Sequence, residues 1–400
     1  MKRRDAIPLL GAAGGGLLLP GLGWAMSPRS GRSDPPRGGA GPHDVPAPAD
    51  MSWWREARFG LFIHWGPVSL EGTEIGWSRG REVPVDRYDR LYQRFNPTAF
   101  DAAAWARIAR EAGAGYVVLT SKHHDGFCLW DSPSTDYDIM STPFGRDVTR
   151  ELAEACRTEG LVFCVYHSIC DWRHPDYPMG SPGGETRKPS PDRERYVEYL
   201  KTQVAELLRS CGPMGVLWFD GEWEEPWSEE RGRDLYRHCR ELQPSVLVNN
   251  RVGAGREGMS GTTAEGAFAG DFDTPEQEIG RYQDDRPWES CITLCTQWAW
   301  KPGDEMKTRD ECVRTLAACA GGDGNLLLNV GPKSDGTIAQ GGVDILLGLG
   351  AWLDVNGEAI YGTRNWDIYG EGEAKVAGGH ITERQNEPFT AADIRFTTKG

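Results

Sequence analysis

Short apolar runs that end in polar or ionisable residues recur along the chain, separated by stretches with helical spacing. The run from Tyr116 to Leu119 is rich in β-branched residues and gives way to Lys122, His123, His124 and Asp125 before a glycine. A run this short and this apolar suits a strand covered on both faces, as in a parallel sheet. The same form appears at Phe59–Gly66, Leu161–Ser168, Gly215–Gly221 and Ser245–Arg251, and a further buried strand is read within Gly321–Pro332. Helices are expected over 99–112, where Asp101 can cap and Gly113 stops the turn, and over 148–158, 193–209, 309–319 and 340–356. From about Gly362 the pattern changes to short alternating pieces with turns, which read as a β domain. Too few such pieces precede Gly400 to close a sandwich, so a truncated C-terminal domain is expected.

The ends of the apolar runs carry the candidate chemistry. Ionisable side chains at the end of a buried strand are costly unless something there needs them. In a (β/α)8 barrel that end is where the active site lies. The rule selects His64, His123, His124, Tyr166, Asp220 and Arg251, with Trp77 in a loop near Glu74. Asp220 is followed by Gly221, which lets the chain turn sharply, and a functional carboxylate is preferred there over a helix cap or a structural ion pair. Arg251 can neutralise and orient a neighbouring carboxylate. Glu276 and Glu289 are both candidates for a second catalytic carboxyl. The consecutive histidines before Asp125 invite a metal reading, but neighbours on a strand point to opposite faces, and no metal is expected. The long loops 173–191 and 253–270 are expected to serve the site. Gly321–Pro332 lacks the Lys-Ser/Thr of a phosphate loop, so a nucleotide cofactor is not expected.

Composition narrows the partners. Lys and Arg number 44 against 59 Asp and Glu, a net charge of −15 without a basic block, which argues against nucleic acid. Sixteen tryptophans favour a carbohydrate ligand, beside their ordinary role in a core. The ten cysteines are expected to be mostly free thiols, since several fall in apolar patterns. Lys2-Arg3-Arg4, the apolar run Ile7–Leu22 and the small residues around Ala25 read as a twin-arginine export signal over 1–25, with a periplasmic or secreted destination. Glycines and Pro20 interrupt that run, and no later segment reads as a membrane span. Residues 26–49 read as a disordered linker, 50–361 as the catalytic domain and 362–400 as the start of the β domain.

Taken together, the motifs resemble those of bacterial α-L-fucosidases of glycoside hydrolase family 29. They are Phe59–Pro67, Leu119–Phe127, Leu217–Gly221, Asn250-Arg251, Asp273–Glu276, Trp288-Glu289 and Leu326–Pro332. The resemblance implies an α/β fold, an irregular (β/α)8-like barrel of TIM type followed by a C-terminal β-sandwich. It implies hydrolysis of terminal α-linked L-fucose from glycans with retention, and no metal or other cofactor. Asp220 resembles the nucleophile; His64, Trp77, His123, His124, Tyr166 and Arg251 resemble the sugar-pocket residues. Glu276 is the first choice for the acid/base and Glu289 the alternative, while His167 departs from the pattern expected after Tyr166. A retaining glycosidase needs its two carboxyls about 5–5.5 Å apart. The rival readings are a non-catalytic carbohydrate-binding protein on the same fold and a glycosidase for a related sugar such as galactose.

Overall fold

The computed structural model describes residues 49–181, 188–282, 286–372, 381–382 and 390–399. The expected export signal and nearly all of the linker lie outside the described residues. The strands in chain order are β1 (Phe59–Ile63), β2 (Tyr116–Lys122), β3 (Val162–Ser168), β4 (Val216–Asp220), β5 (Leu247–Val248), β6 (Arg256–Glu257), β7 (Thr262–Thr263), β8 (Glu278–Ile279), β9 (Glu289–Thr293), β10 (Asn325–Val330), β11 (Arg364–Glu371), β12 (Ile381–Thr382) and β13 (Ile394–Thr398). The helices are α1 (Ser52–Ala57), α2 (Val85–Tyr88), α3 (Ala102–Glu111), α4 (Val148–Thr158), α5 (Arg193–Ser210), α6 (Glu229–Leu242), α7 (Arg309–Gly321) and α8 (Gln340–Asn356).

Seven strands form one parallel sheet in the order β5-β4-β3-β2-β1-β10-β9. Its two edges are joined by the irregular segment 271–277. Asp271 N–H bonds Val248 O at 2.6 Å and Asn250 N–H bonds Phe272 O at 2.8 Å on one side. Glu289 N–H bonds Asp273 O and Cys291 N–H bonds Pro275 O, both at 2.9 Å, on the other. That segment is the eighth stave of an irregular barrel. The α/β barrel expected from the sequence is therefore present, with its last stave made by side chains and loops as much as by a strand.

Strand alternation sorts the core into two shells. Phe62, Val118, Cys164, Tyr166, Trp218, Cys291 and Leu327 point inward and form the barrel interior. Leu61, Ile63, Val117, Leu119, Val165 and Leu328 point outward and are covered by helix residues such as Trp105, Leu152, Leu200, Leu316 and Leu346. Strands apolar on both faces are what this double burial requires. The helices begin where polar caps allow: Asp101, Asp147, Asp192 and Ser228 each accept a backbone N–H of the first turn, and Thr308 with Glu311 makes a capping box.

Two regions depart from the expected elements. The run Ser245–Arg251 yields only the two-residue β5, because the Asn249 side chain takes over the pairing. Its Oδ1 accepts from Phe219 N at 2.8 Å and its Nδ2 donates to Phe219 O at 2.9 Å, in place of a backbone ladder. Residues 229–242 form α6, whose apolar stripe, Leu235, Tyr236 and Cys239, is diluted by charged residues. Beyond the barrel, β11 pairs antiparallel with β13, and Tyr369 on β11 donates to Ala318 O on α7 at 3.2 Å. All ten cysteines are free thiols, nine of them buried.

Glu289 closes the lower end of the barrel. It is the first residue of β9, level with the start of the sheet, and is fully buried. Its carboxylate accepts from Trp54 Nε1 and Trp218 Nε1, both at 3.2 Å, and from the Tyr116 hydroxyl. Burial lifts its pKa from 4.5 to about 7, against the pull of these donors. The folded chain thus holds a proton that the unfolded chain releases over that range. The stabilisation from this proton is full below pH 4.5 and is lost as the pH rises to about 7. Urea unfolding of wild type and Glu289→Gln from pH 4.5 to 7 should show wild type losing stability relative to the variant; parallel curves would refute the assignment. Glu289→Leu, which orphans the buried donors, should cost about 3–5 kcal/mol at pH 4.5, a deficit that narrows as the pH rises to 7.

Candidate active site

The carboxyl ends of the strands surround a cavity of about 240 Å³. Its buried lining comes from inward positions of the barrel: Phe62 on β1, Tyr166 on β3, Trp218 and Asp220 on β4, and Cys291 on β9. His64, His123 and His124 follow the ends of β1 and β2, and Arg251 follows β5. Trp77, Trp223, Arg256, Met259, Glu276 and Trp298 form the rim.

Asp220 is the centre of the hydrogen bonding. It continues the inward parity of Val216 and Trp218, and Gly221, at φ +96°, turns the chain away at once. A Cβ on Gly221 would lie 2.5 Å from Cys170 Sγ, so only glycine fits the bend. Asp220 Oδ1 accepts from Arg251 Nη1 at 2.5 Å, and Oδ2 accepts from the Tyr166 hydroxyl at 2.9 Å. Burial alone would raise this carboxyl; the opposing charge of Arg251, with smaller help from His124 and Arg256, holds it below the usual range, at about 2. Arg251 Nη2 reaches Glu276 Oε2 at 2.9 Å. One buried guanidinium thus holds both carboxylates, while its Nε donates to Thr274 Oγ1 at 2.9 Å and its face lies 4.5 Å from the Trp218 ring centroid.

The histidines enter as neutral rings of defined tautomer. Asn329 uses Nδ2 on Trp298 O, so its Oδ1 faces His64 Nδ1 at 2.6 Å and that nitrogen carries the hydrogen. Ser168 Oγ donates to Cys170 O, so His124 Nδ1, 2.7 Å from the same Oγ, is also the donor. His64 Nε2 is left as an acceptor for an incoming hydroxyl, whereas His124 Nε2 lies 3.5 Å from Asp220 Oδ2. Burial lowers His64 to about 3 and His124 to about 4, and lowers His123 as well. His123 stacks on Tyr166 with the planes 8° apart. His123 and His124 both line the cavity because β2 slips register between Thr120 and Lys122 and the chain bends there.

The structure brings together His64, Trp77, His123, His124, Tyr166, Asp220, Arg251 and Glu276. It does not bring Glu289 to them. The expectation that Glu289 could be the second catalytic carboxyl is corrected: it lies inside the barrel at the amino ends of the strands, sealed by Trp54, Tyr116 and Trp218. His167 also lies away from the cavity, as its outward parity on β3 dictates, against Trp130 and Ser121. Lys122 and Asp125 turn away too, Lys122 to Gln203 on α5 at 2.8 Å and Asp125 to the Tyr88 hydroxyl at 2.7 Å. Of the two loops expected to serve the site, 253–270 supplies Arg256 and Met259, whereas no described residue of 173–191 lines the cavity.

Trp218, Trp223, Arg256, Met259 and Trp298 were not singled out by sequence reading. Trp298 follows β9 and obeys the strand-end rule, but Glu289 and Ser290 hide that strand's apolar pattern. Trp223 lies three residues beyond Asp220 and stacks on Trp77 at 6.4 Å with planes 17° apart.

Comparison with known proteins agrees with this geometry. The family profile described as Alpha-L-fucosidase matches residues 44–358. The tissue alpha-L-fucosidase of Homo sapiens is 31% identical over 402 residues, spanning 93% of this chain and 80% of its own. The solved alpha-L-fucosidase isoenzyme 1 of Paenibacillus thiaminolyticus superposes with a TM-score of 0.74 at 38% identity, over 87% of this chain and 81% of its own. A GH29 alpha-L-fucosidase of Bacteroides thetaiotaomicron, trapped as a covalent intermediate with 2-fluoro-fucosyl fluoride in a Glu-to-Gln mutant, superposes at 0.71 with 29% identity, over 81% and 78%.

Removing the shared cation should expose its role. Arg251→Met leaves buried carboxylates without a counter-charge and is expected to destabilise the fold by about 3–5 kcal/mol at pH 7. Without Arg251, burial raises Asp220 instead of the cation lowering it. The variant's deficit in urea unfolding should therefore shrink as the pH falls from 7 towards 4. A deficit that is the same at both pH values would contradict the shared-cation account.

Proposed function

The chain belongs to the α-L-fucosidase family, and from this premise we propose that it is an exo-acting, retaining enzyme that removes terminal α-linked L-fucose from glycans through a covalent fucosyl-enzyme. It is a glycoside hydrolase. The observation that carries the mechanism is the pair Asp220 and Glu276 on the two terminal nitrogens of Arg251. Asp220, ionised and oriented by Arg251 and Tyr166, attacks the anomeric carbon; the bond to the leaving oxygen breaks as Glu276 gives it a proton. Glu276 then takes a proton from water, the water oxygen bonds to the anomeric carbon, and Asp220 departs. The second displacement restores the original configuration, in keeping with the covalent intermediate trapped in the Bacteroides thetaiotaomicron relative.

The rest of the pocket recognises the sugar. Nε2 of His64 accepts from a sugar hydroxyl, His124 lies beside the sugar against Asp220, and Trp77 covers an apolar face. Phe62 and Trp298, whose centroids are 5.9 Å apart, offer the C6 methyl of fucose an apolar seat. Discrimination against galactose, which carries a hydroxyl at C6, is worth about 10²-fold at most. The basic and apolar start of the chain supports export by the twin-arginine route as part of the same proposal.

The test is release of a chromogenic phenol from an aryl α-L-fucoside. Asp220→Ala should lose roughly 10³-fold or more in kcat and, with azide, give the fucosyl azide of inverted configuration. Glu276→Ala with azide should give the azide of retained configuration. A wild type that binds fucose but releases no phenol would favour the non-catalytic binding protein.

A further inference from the structure

We propose that Arg256, held by Glu222, recognises the leaving sugar, and that this sugar is a neutral pyranose. The inference rests on the fucosidase reading above. Glu222 stands two residues after Asp220 and is buried, and its Oε1 accepts from Arg256 Nε at 2.6 Å. Its other oxygen is buried without a hydrogen bond, so Arg256 alone ties down this carboxylate among the described residues. Arg256 lines the cavity. Its Nε is taken by Glu222 and its Nη1 by Gly258 O, and among the described residues Nη2 is left to donate to a ligand.

The place of Arg256 is set by the same backbone that carries the proton donor. The β6–β7 hairpin docks on the segment bearing Glu276: Glu276 N–H bonds Met259 O at 2.9 Å and Thr274 N–H bonds Gly261 O at 3.2 Å. Gly261 is required at this contact, since a Cβ there would meet Thr274 O at 2.0 Å. Arg256, Met259 and Glu276 are therefore one rim. The leaving oxygen must sit beside Glu276 to receive its proton, so the rest of the leaving group lies along this rim. The most exposed apolar side chains of the cavity are Trp223, at 47%, and Met259, at 45%, the latter on this rim. An exposed indole and a guanidinium donor lining one cavity fit a pyranose, whose C–H face stacks and whose oxygens accept.

Charge decides between neutral and acidic sugars. Glu222 matches Arg256, and Asp220 matches Arg251, which Glu276 also contacts. A carboxylate-bearing leaving sugar would meet no uncompensated cation, and the chain as a whole carries −15.

The experiment compares kcat/KM for methyl α-L-fucoside with that for fucosyl disaccharides whose leaving residue is galactose, N-acetylglucosamine or glucuronic acid. All of these leaving groups are alkoxides that need a proton, so a change in proton delivery largely cancels in the disaccharide-to-methyl ratio. Wild type should favour a neutral disaccharide over the methyl fucoside and over the glucuronic acid compound. Arg256→Met should lower the ratio for the best neutral disaccharide by about 10- to 100-fold, the worth of one hydrogen bond from a charged donor. Arg256→Lys, which keeps the charge but not the planar fork, should lower it severalfold and carries the test should the Met variant not fold. A ratio within twofold of wild type in the Lys variant, or a wild type that prefers the acidic disaccharide, would overturn the proposal. A wild type that cleaves methyl fucoside but no disaccharide would overturn it too. A wild type that cleaves neither overturns the fucosidase reading itself, and this inference with it.

Discussion

The structure depends on one buried guanidinium. Arg251 holds Asp220 and Glu276 on its two terminal nitrogens, in a cavity walled by aromatic rings and neutral histidines. Burying Asp220 without a cation beside it would favour its neutral form, and the charge of Arg251 opposes that. Arginine suits the task because its charge is permanent and its fork is planar. The supports of Arg251 are equally specific: Thr274 fixes its Nε, and Trp218 lies under its face. Histidines lowered far below neutrality add no competing charge, so the field in the pocket is set by this triad and by the Glu222–Arg256 pair beside it.

The barrel shows the same principle by contrast at its other end. Glu289 and Asp220 both point into the interior, yet their acidities move in opposite directions. Glu289 meets only neutral donors, and burial wins, lifting it to about 7. Asp220 meets a cation within hydrogen-bond distance, and the charge wins. The lower carboxyl closes a core; the upper one stays ionised beneath an open cavity. Position along the strand separates the two, since β9 begins at Glu289 and β4 ends at Asp220.

Much of this was legible in local sequence. Apolar runs ending in His64, His123, Tyr166, Asp220 and Arg251 marked strands and the end at which chemistry gathers, because burial on both faces and the cost of a buried polar group act on neighbouring residues. Less legible were the elements whose pattern is diluted or interrupted. Charged residues thin the apolar stripe of α6, and Glu289 with Ser290 breaks the pattern of β9. β5 is shorter than its apolar run implies because the Asn249 side chain substitutes for a backbone ladder, which composition does not reveal.

The sequence by itself determined the parallel α/β barrel, the identity of the central carboxylate and most of the residues that line the cavity. Their signals are periodicity and strand ends, which are properties of a few consecutive residues. Only the tertiary structure decided between Glu276 and Glu289, turned His167 away, and brought Trp223, Arg256, Met259 and Trp298 to the rim. Those outcomes follow from closure of the barrel. The segment 271–277 must bridge β5 and β9, and in doing so it carries Glu276 to Arg251 while β9 starts with Glu289 at the opposite end. Where no clear apolar run marks the strand, as at Glu289, the end a residue occupies is settled only when the staves on either side fix the register.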